Sequence, residues 1–303
     1  MFLSYLHPRL LRSLVLIEPY VWDNYAAADG SIMALTANKR DIWSHREAAV
    51  KRGGPFFRIW DPRVVERWVQ HGYRDLPTVT HPDHPKVNTE NAPNSSPQPS
   101  PGPSVTLTTT KHQEAFAYAR FNPNQHRELG LSDSAASREA NGPPPPHDPL
   151  FFPDVIGDLY PNQVFYRAET VLAWRGLPHI RPSTLFLSAG KSNLFRWGMI
   201  GKAASIAGTG IGGSGGMPYE RVKHVVLPKA FHTLPLEKVA STADTLAPWI
   251  SKELQRWNED ERRIAEGWET LSSKERSTLS GEWVAGVSET LKNVEARKKT
   301  SKL

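Results

Sequence analysis

The chain has 303 residues, of which 39% are hydrophobic, with 10 Trp, 26 Pro, no Cys and a formal charge of +6. That length supports one large domain, or a core domain with a lid, and is short for two full domains. Without cysteine there are no disulfides, thiolate metal sites or cysteine nucleophile, which suits a reducing or peroxide-rich compartment better than secretion.

The longest apolar runs, such as Leu14 to Ile17, are far too short to cross a bilayer, and no basic-then-apolar signal opens the chain. A soluble protein is expected. The basic residues are scattered and do not alternate with aromatic residues, so no nucleic-acid reader is indicated. The charge then means either an ordinary soluble surface or a field suited to an anionic small substrate.

In chain order, Met1 to Arg12 reads as the end of a helix, with Leu3, Leu6 and Leu10 on one face and Pro8 near its close. Ser13 to Ile17 is a continuous β-capable run of the buried, parallel-sheet kind, stopped by Glu18-Pro19. Helices are predicted from about Ala34 to Arg52 and from Pro62 to Gly72, the second with Val64, Val65, Trp68 and Val69 on an apolar stripe. From about Thr78 to Pro103 the composition turns to Pro, Ser, Asn and His, which cannot bury enough apolar surface to order itself. A second such segment runs from about Asn124 to Pro149. Val105 to Tyr118, between them, is expected to be an ordered part of a cap.

An α/β rhythm follows: a helix near Tyr166 to Arg175, a strand Ser183 to Ser188, a helix near Phe195 to Ala207, a glycine-rich loop, a strand Val222 to Leu227, and a helix from about Leu236 to Leu254. Strands alternating with helices imply a parallel sheet with helices on both faces. Beyond Trp257 a charged segment with Trp268, Leu271, Trp283 and Leu291 reads as a helical extension. The expected divisions are a core start at 1–33, a cap at 34–165 with Pro-rich insertions near 78–103 and 124–149, the rest of the core at 166–256, and the extension at 257–303.

His232 falls where a strand has ended and a helix is about to start. The general base of a Ser-His-acid triad comes at such a loop after the last strand of an α/β-hydrolase, and the alternative is a surface-loop histidine. Gly212-Gly213-Ser214-Gly215-Gly216 spells a nucleophile elbow, but no strand precedes it and Pro218 follows, so Ser214 is a poor nucleophile. Gly208 to Gly213 spells a dinucleotide fingerprint, yet it follows a helix and leads into a strand, the reverse of the required context. The better reading is a mobile loop beside the active site; a nicotinamide-dependent oxidoreductase would rest on this loop alone. His81 and His84, with Asp83 between them, lie in the first insertion and read as solvated rather than as metal ligands. No cofactor and no metal are expected. The chain closes on Ser301-Lys302-Leu303 after a basic stretch, the form of address read by the peroxisomal import receptor; the alternative is a solvated basic tail.

His7-Pro8-Arg9-Leu10 followed by Leu14-Val15-Leu16-Ile17-Glu18-Pro19 resembles the segment after the nucleophile elbow in a fungal peroxisomal α/β-hydrolase family of secondary metabolism. That family includes an acyl-CoA hydrolase of the mycophenolic acid pathway and hydrolases of Alternaria host-selective toxin clusters. The likeness extends through Phe57 to Thr78, Val105 to Gln113 and Thr184 to Leu236. It implies a partial α/β-hydrolase fold with a parallel sheet, a helical cap and Pro-rich insertions. It also implies Glu18 as the triad acid, with a capping glutamate as the alternative; the loop after the Ser183 to Ser188 strand, Ala189 to Asn193, offers no carboxylate.

By the same pattern the nucleophilic serine and its elbow would lie just upstream of Met1, so this sequence is expected to be a shortened or degenerate member. Trp22, Trp43, Trp60 and Trp68 fall where the family's cap sits, as core or as the lining of an acyl pocket. The resemblance implies hydrolysis of an ester or acyl-CoA thioester in toxin or secondary-metabolite biosynthesis, in the peroxisome. The alternative is a non-catalytic binding or scaffold protein. The implied partners are the import receptor and an acyl-CoA or ester substrate, with no nucleic acid or membrane and a homodimer left open.

Overall fold

The computed structural model describes residues 1–7, 10–23, 30–83, 102–121 and 165–300. Pro8, most of the first Pro-rich segment with His84, all of the second, and Ser301-Lys302-Leu303 lie outside the described residues. The chain divides into two compact units, Met1–Ala247 and Pro248–Leu303.

The first unit is organised by a parallel sheet of β1 (Ser13–Ile17), β7 (Ser183–Ala189) and β8 (Val222–Leu227), with β7 in the middle. Ser13 faces Ser183 and Ile17 faces Leu187 across one ladder, while Thr184 faces Val222 and Ala189 faces Leu227 across the other. All seven residues of β7 are buried, as a central strand covered on both faces requires. Side chains alternate across the sheet. Leu14, Leu16, Phe186 and Val222 pack on one face with Ala173, Leu177, Ile200 and Ala203. Ile17, Leu187, Ala189, Val225 and Leu227 pack on the other with Ala230, Leu234 and Leu246.

Helix α1 covers only Phe2–Leu6, where the sequence suggests helix from Met1 to Arg12. The cap region is less helical than expected. In place of one helix from Ala34 to Arg52 there are α2 (Gly30–Asn38), the short strand β2 (Ile42–Trp43) and α3 (Arg46–Phe57). Asn38 ends α2 by turning its amide back to the Ala34 carbonyl at 2.9 Å, and Ile42-Trp43 then satisfy their backbone in a ladder. With β3 (Tyr73–Asp75) and β4 (Val105–Leu107) they form an antiparallel sheet in the order β2-β4-β3, over a small core of Trp43, Ala49, Tyr73 and Val105. Helix α4 (Pro62–His71) starts at the Asp61 cap, and α5 (Lys111–Tyr118) at a Thr110/Gln113 capping box. The pair β5 (Arg120–Phe121) and β6 (Phe165–Tyr166) leads into α6 (Ala168–Gly176).

After β7 come α7 (Asn193–Arg196) and α8 (Met199–Ile206), two helices where the sequence suggests one. Gly198, at φ +71°, takes the left-handed turn that separates them. After β8 the short α9 (Leu234–Glu237) precedes the long α10 (Val239–Glu269), within which the boundary between the two units falls. The second unit continues through α11 (Ser273–Ser277) to α12 (Gly281–Thr300). On α12, Trp283, Val287, Leu291 and Val294 are exposed.

Candidate active site

The carboxyl ends of parallel strands are where an α/β sheet leaves loops free to carry chemistry. Glu18 is the first residue after β1 and sits at φ +47°, a left-handed conformation that costs a non-glycine residue roughly 1–2 kcal/mol. Two hydrogen bonds hold it there. Its own N–H donates to Leu187 O at 2.9 Å, and its Oε1 accepts the Ala189 N–H at 2.6 Å. The turned backbone drives the side chain across the end of β7, where it is 3% exposed.

The other carboxylate oxygen, Oε2, lies 2.9 Å from His232 Nδ1. An ionised carboxylate only accepts, so Nδ1 carries a proton in this contact, and in the neutral imidazole the lone pair is then on Nε2. The His232 side chain is 64% exposed, so a buried acid orients an accessible imidazole. Such a pair can remove and return a proton at Nε2 while the carboxylate balances the imidazolium charge. Among the described residues no hydroxyl is hydrogen-bonded to His232.

The loop carrying His232 is fixed by contacts that sequence reading missed. Glu237 Oε2 accepts the Phe231 N–H at 3.0 Å and its Oε1 accepts the Thr233 hydroxyl at 2.6 Å, clamping the residues on either side of the histidine. The spacing Thr233-x-x-x-Glu237 was the available signal. The loops after β7 and β8 are stitched together by Gly190 N–H to Leu227 O at 2.9 Å and Lys191 N–H to Ala230 O at 3.0 Å. A Cβ at Gly190 would come within 2.8 Å of the Pro228 backbone.

A second imidazole was also missed. His224, on β8, shares a 2.7 Å hydrogen bond with Ser188 Oγ, which is wholly buried on β7. Burial pushes the His224 imidazole below its ordinary range, and the negative charge of Glu18 works the other way. The neutral form of His224 is therefore favoured by the fold.

Ser214 lies at the opposite end of the strands. Its N–H donates to Ile180 O at 2.9 Å, and Gly208 and Gly210 bond to Leu177 O and Pro178 O, all ahead of β7. The expectation of a mobile loop beside the candidate site is thus corrected: the glycine loop precedes β8, and the six residues of β8, about 20 Å of strand, separate it from the His232 end. Its glycines serve tight packing. Gly208, Gly212, Gly215 and Gly216 all have positive φ, and a Cβ at Gly208 would fall 2.2 Å from Ser214 Oγ.

His81 is placed differently from the expectation of a disordered insertion. It closes a described turn by a bridge to Thr78, and its Nε2 lies 3.6 Å from Asp41, which Lys111 also approaches at 3.5 Å. No group of three or more metal-ligating side chains occurs among the described residues. Of the four tryptophans, Trp22 packs on the main core and Trp43 in the cap core, while Trp60 and Trp68 meet edge-on at 5.4 Å.

Relatives align with most of this chain. The type I acyl-CoA thioesterase mpaH′ of Penicillium brevicompactum is 32% identical over 272 residues, covering 87% of this chain and 58% of that protein. The abhydrolase domain-containing protein ACTT2-2 of Alternaria alternata is 23% identical over 288 residues, covering 93% of this chain and 90% of that protein. This chain is a homologue of fungal α/β-hydrolases. The homologue spans 58% of the length of that thioesterase. Its parallel sheet with helices on both faces is α/β-hydrolase-like. Among solved structures, the peroxisomal α/β-hydrolase Lpx1 of Saccharomyces cerevisiae aligns over 97% of this chain and 57% of that one, at 12% identity and a TM-score of 0.42. No family model matches the sequence. No helix among the described residues is long and apolar enough to cross a membrane.

Proposed function

We propose that this chain carries the acid–base part of a serine-type hydrolase site for acyl-CoA thioesters or related esters of fungal secondary metabolism. The observation that supports this reading is the 2.9 Å contact between buried Glu18 and exposed His232 at the ends of parallel strands. His232 Nε2 takes the proton of a serine hydroxyl as it attacks the acyl carbon. It then delivers that proton to the departing thiolate or alkoxide, and repeats the transfer with water to release the acid. Glu18 holds the imidazole in the required tautomer throughout. The terminal Ser301-Lys302-Leu303 serves as the peroxisomal address.

The test is an acyl-CoA hydrolysis assay on the purified chain and on the protein from its native source. Turnover lost in His232→Ala and Glu18→Gln and kept in Ser214→Ala is the expected result. Turnover indifferent to His232→Ala removes the reading. A reporter ending in residues 292–303 should enter peroxisomes and cease to do so when the last three residues are deleted.

A second reading, a non-catalytic binding protein, is favoured by the lack of any hydroxyl bonded to His232 among the described residues. Acyl-CoA binding without turnover in both preparations would select it.

A further inference from the structure

We propose that a groove in the cap region, along the later half of α4, binds the phosphorylated adenosine end of a coenzyme A thioester. The choice of nucleotide rests on the acyl-CoA reading above. The groove holds about 390 Å³, and its lining includes Lys39, Arg67, Trp68, His71 and Thr109.

Trp68 is a fixed platform in this groove. Its ring meets Trp60 edge-on at 5.4 Å, and a Cβ on Gly72 would fall 2.9 Å from its Nε1. Held in this way, Trp68 is still 37% exposed. An immobilised indole with an open surface is suited to stacking on a purine.

The charges favour phosphate. Lys39 is paired with Glu114, which leaves that couple neutral overall. Arg67 forms no ion pair among the described residues and is exposed, so its guanidinium is available to a phosphate in the forked geometry that phosphate oxygens accept. The carbonyls that end α4 are already occupied: Val69 O accepts from Arg46 at 2.8 Å, His71 O from the Thr108 hydroxyl at 2.6 Å, and Gly72 O from the Thr108 N–H at 2.9 Å. They do not present bare acceptors to an anion.

The groove is also tied to the candidate site. The N–H of Asp61, the cap of α4, donates to Leu236 O at 2.8 Å, and Leu236 lies in α9, just beyond His232. At 1.5 Å per residue, Trp68 stands about 10 Å along α4 from that anchor. The anchor sets the start of α4 against the helix that follows the His232 loop, and in the proposed pose the extended pantetheine arm runs from Trp68 back toward that loop.

Isothermal titration of the full chain with coenzyme A and with adenosine 3′,5′-bisphosphate tests this. Both should bind, inorganic phosphate should bind far more weakly, and Arg67→Ala and Trp68→Leu should each weaken nucleotide binding by about tenfold. Arg67 is exposed, so its variant retains the fold, which far-UV circular dichroism checks. Equal affinity in wild type and Arg67→Ala, or equal binding of phosphate and coenzyme A, overturns the proposal. Arg67-dependent coenzyme A binding without hydrolysis defeats the proposed reaction and keeps the groove. Hydrolysis with a KM for acyl-CoA that Arg67→Ala does not alter defeats the groove and keeps the reaction.

Discussion

Glu18 and His232, 214 positions apart in sequence, meet at 2.9 Å because β1 and β8 flank β7, run parallel to it and finish at its carboxyl end. The contact makes a claim about protonation that needs no turnover to check. Nitrogen-detected NMR of the His232 ring should find the Nδ1–H tautomer in the wild type and lose that preference in Glu18→Ala. Finding the Nε2–H tautomer in the wild type would contradict the assignment. Where hydrolysis is measured, Glu18→Gln should lower kcat by roughly 10⁴, the scale of a mis-set tautomer.

Glu237 should matter to the stability of the site loop. Its carboxylate satisfies the Phe231 N–H and the Thr233 hydroxyl, and Glu237→Ala leaves both without that partner. A loss of about 1–3 kcal/mol in urea unfolding is expected. An unchanged midpoint would mean that water replaces the carboxylate without cost.

Two glycine substitutions should act in opposite directions. Gly190→Ala puts a Cβ 2.8 Å from the Pro228 backbone, so two loops must part, at a cost of about 1–3 kcal/mol. Gly286→Ala, in α12 with nothing within 4 Å, should stabilise that helix by about 0.5–1 kcal/mol. Thermal melts of the pair check this difference in sign.

His224 predicts a pH limb. Burial lowers its folded pKa below the unfolded value, so in that window the unfolded chain binds the extra proton. The stability is complete above the unfolded histidine pKa, near 6.5, and falls as pH drops through the lower folded value. Chemical denaturation of His224→Gln between pH 7.5 and pH 5, roughly the histidine window, should show a shallower decline than the wild type. Parallel curves would locate the acid sensitivity elsewhere.

The core strands were legible because their chemistry is local: Ser183 to Ser188 and Val222 to Leu227 are short β-capable runs with turn residues at their ends, and both are strands. The Ala34 to Arg52 helix failed because Ile42-Trp43 choose a ladder only in the presence of Val105 and Thr106, more than sixty residues away. The Glu18 and His232 positions followed from strand ends and resemblance, and their contact is a distance only the fold supplies. Ser188 and the Asp61-to-Leu236 bond left no distinct mark, since each depends on a partner fixed by packing, and Glu237 left only its spacing to Thr233.

The left-handed backbone at Glu18 limits how position 18 can drift. Valine, isoleucine and threonine are barred by shape before their chemistry matters, and aspartate, easier in that conformation, is one methylene short of spanning Ala189 and His232. Substitutions at this position are therefore best accepted as glycine or asparagine, which keep the turn while giving up the carboxylate, so the shape of the loop outlasts the group it carries.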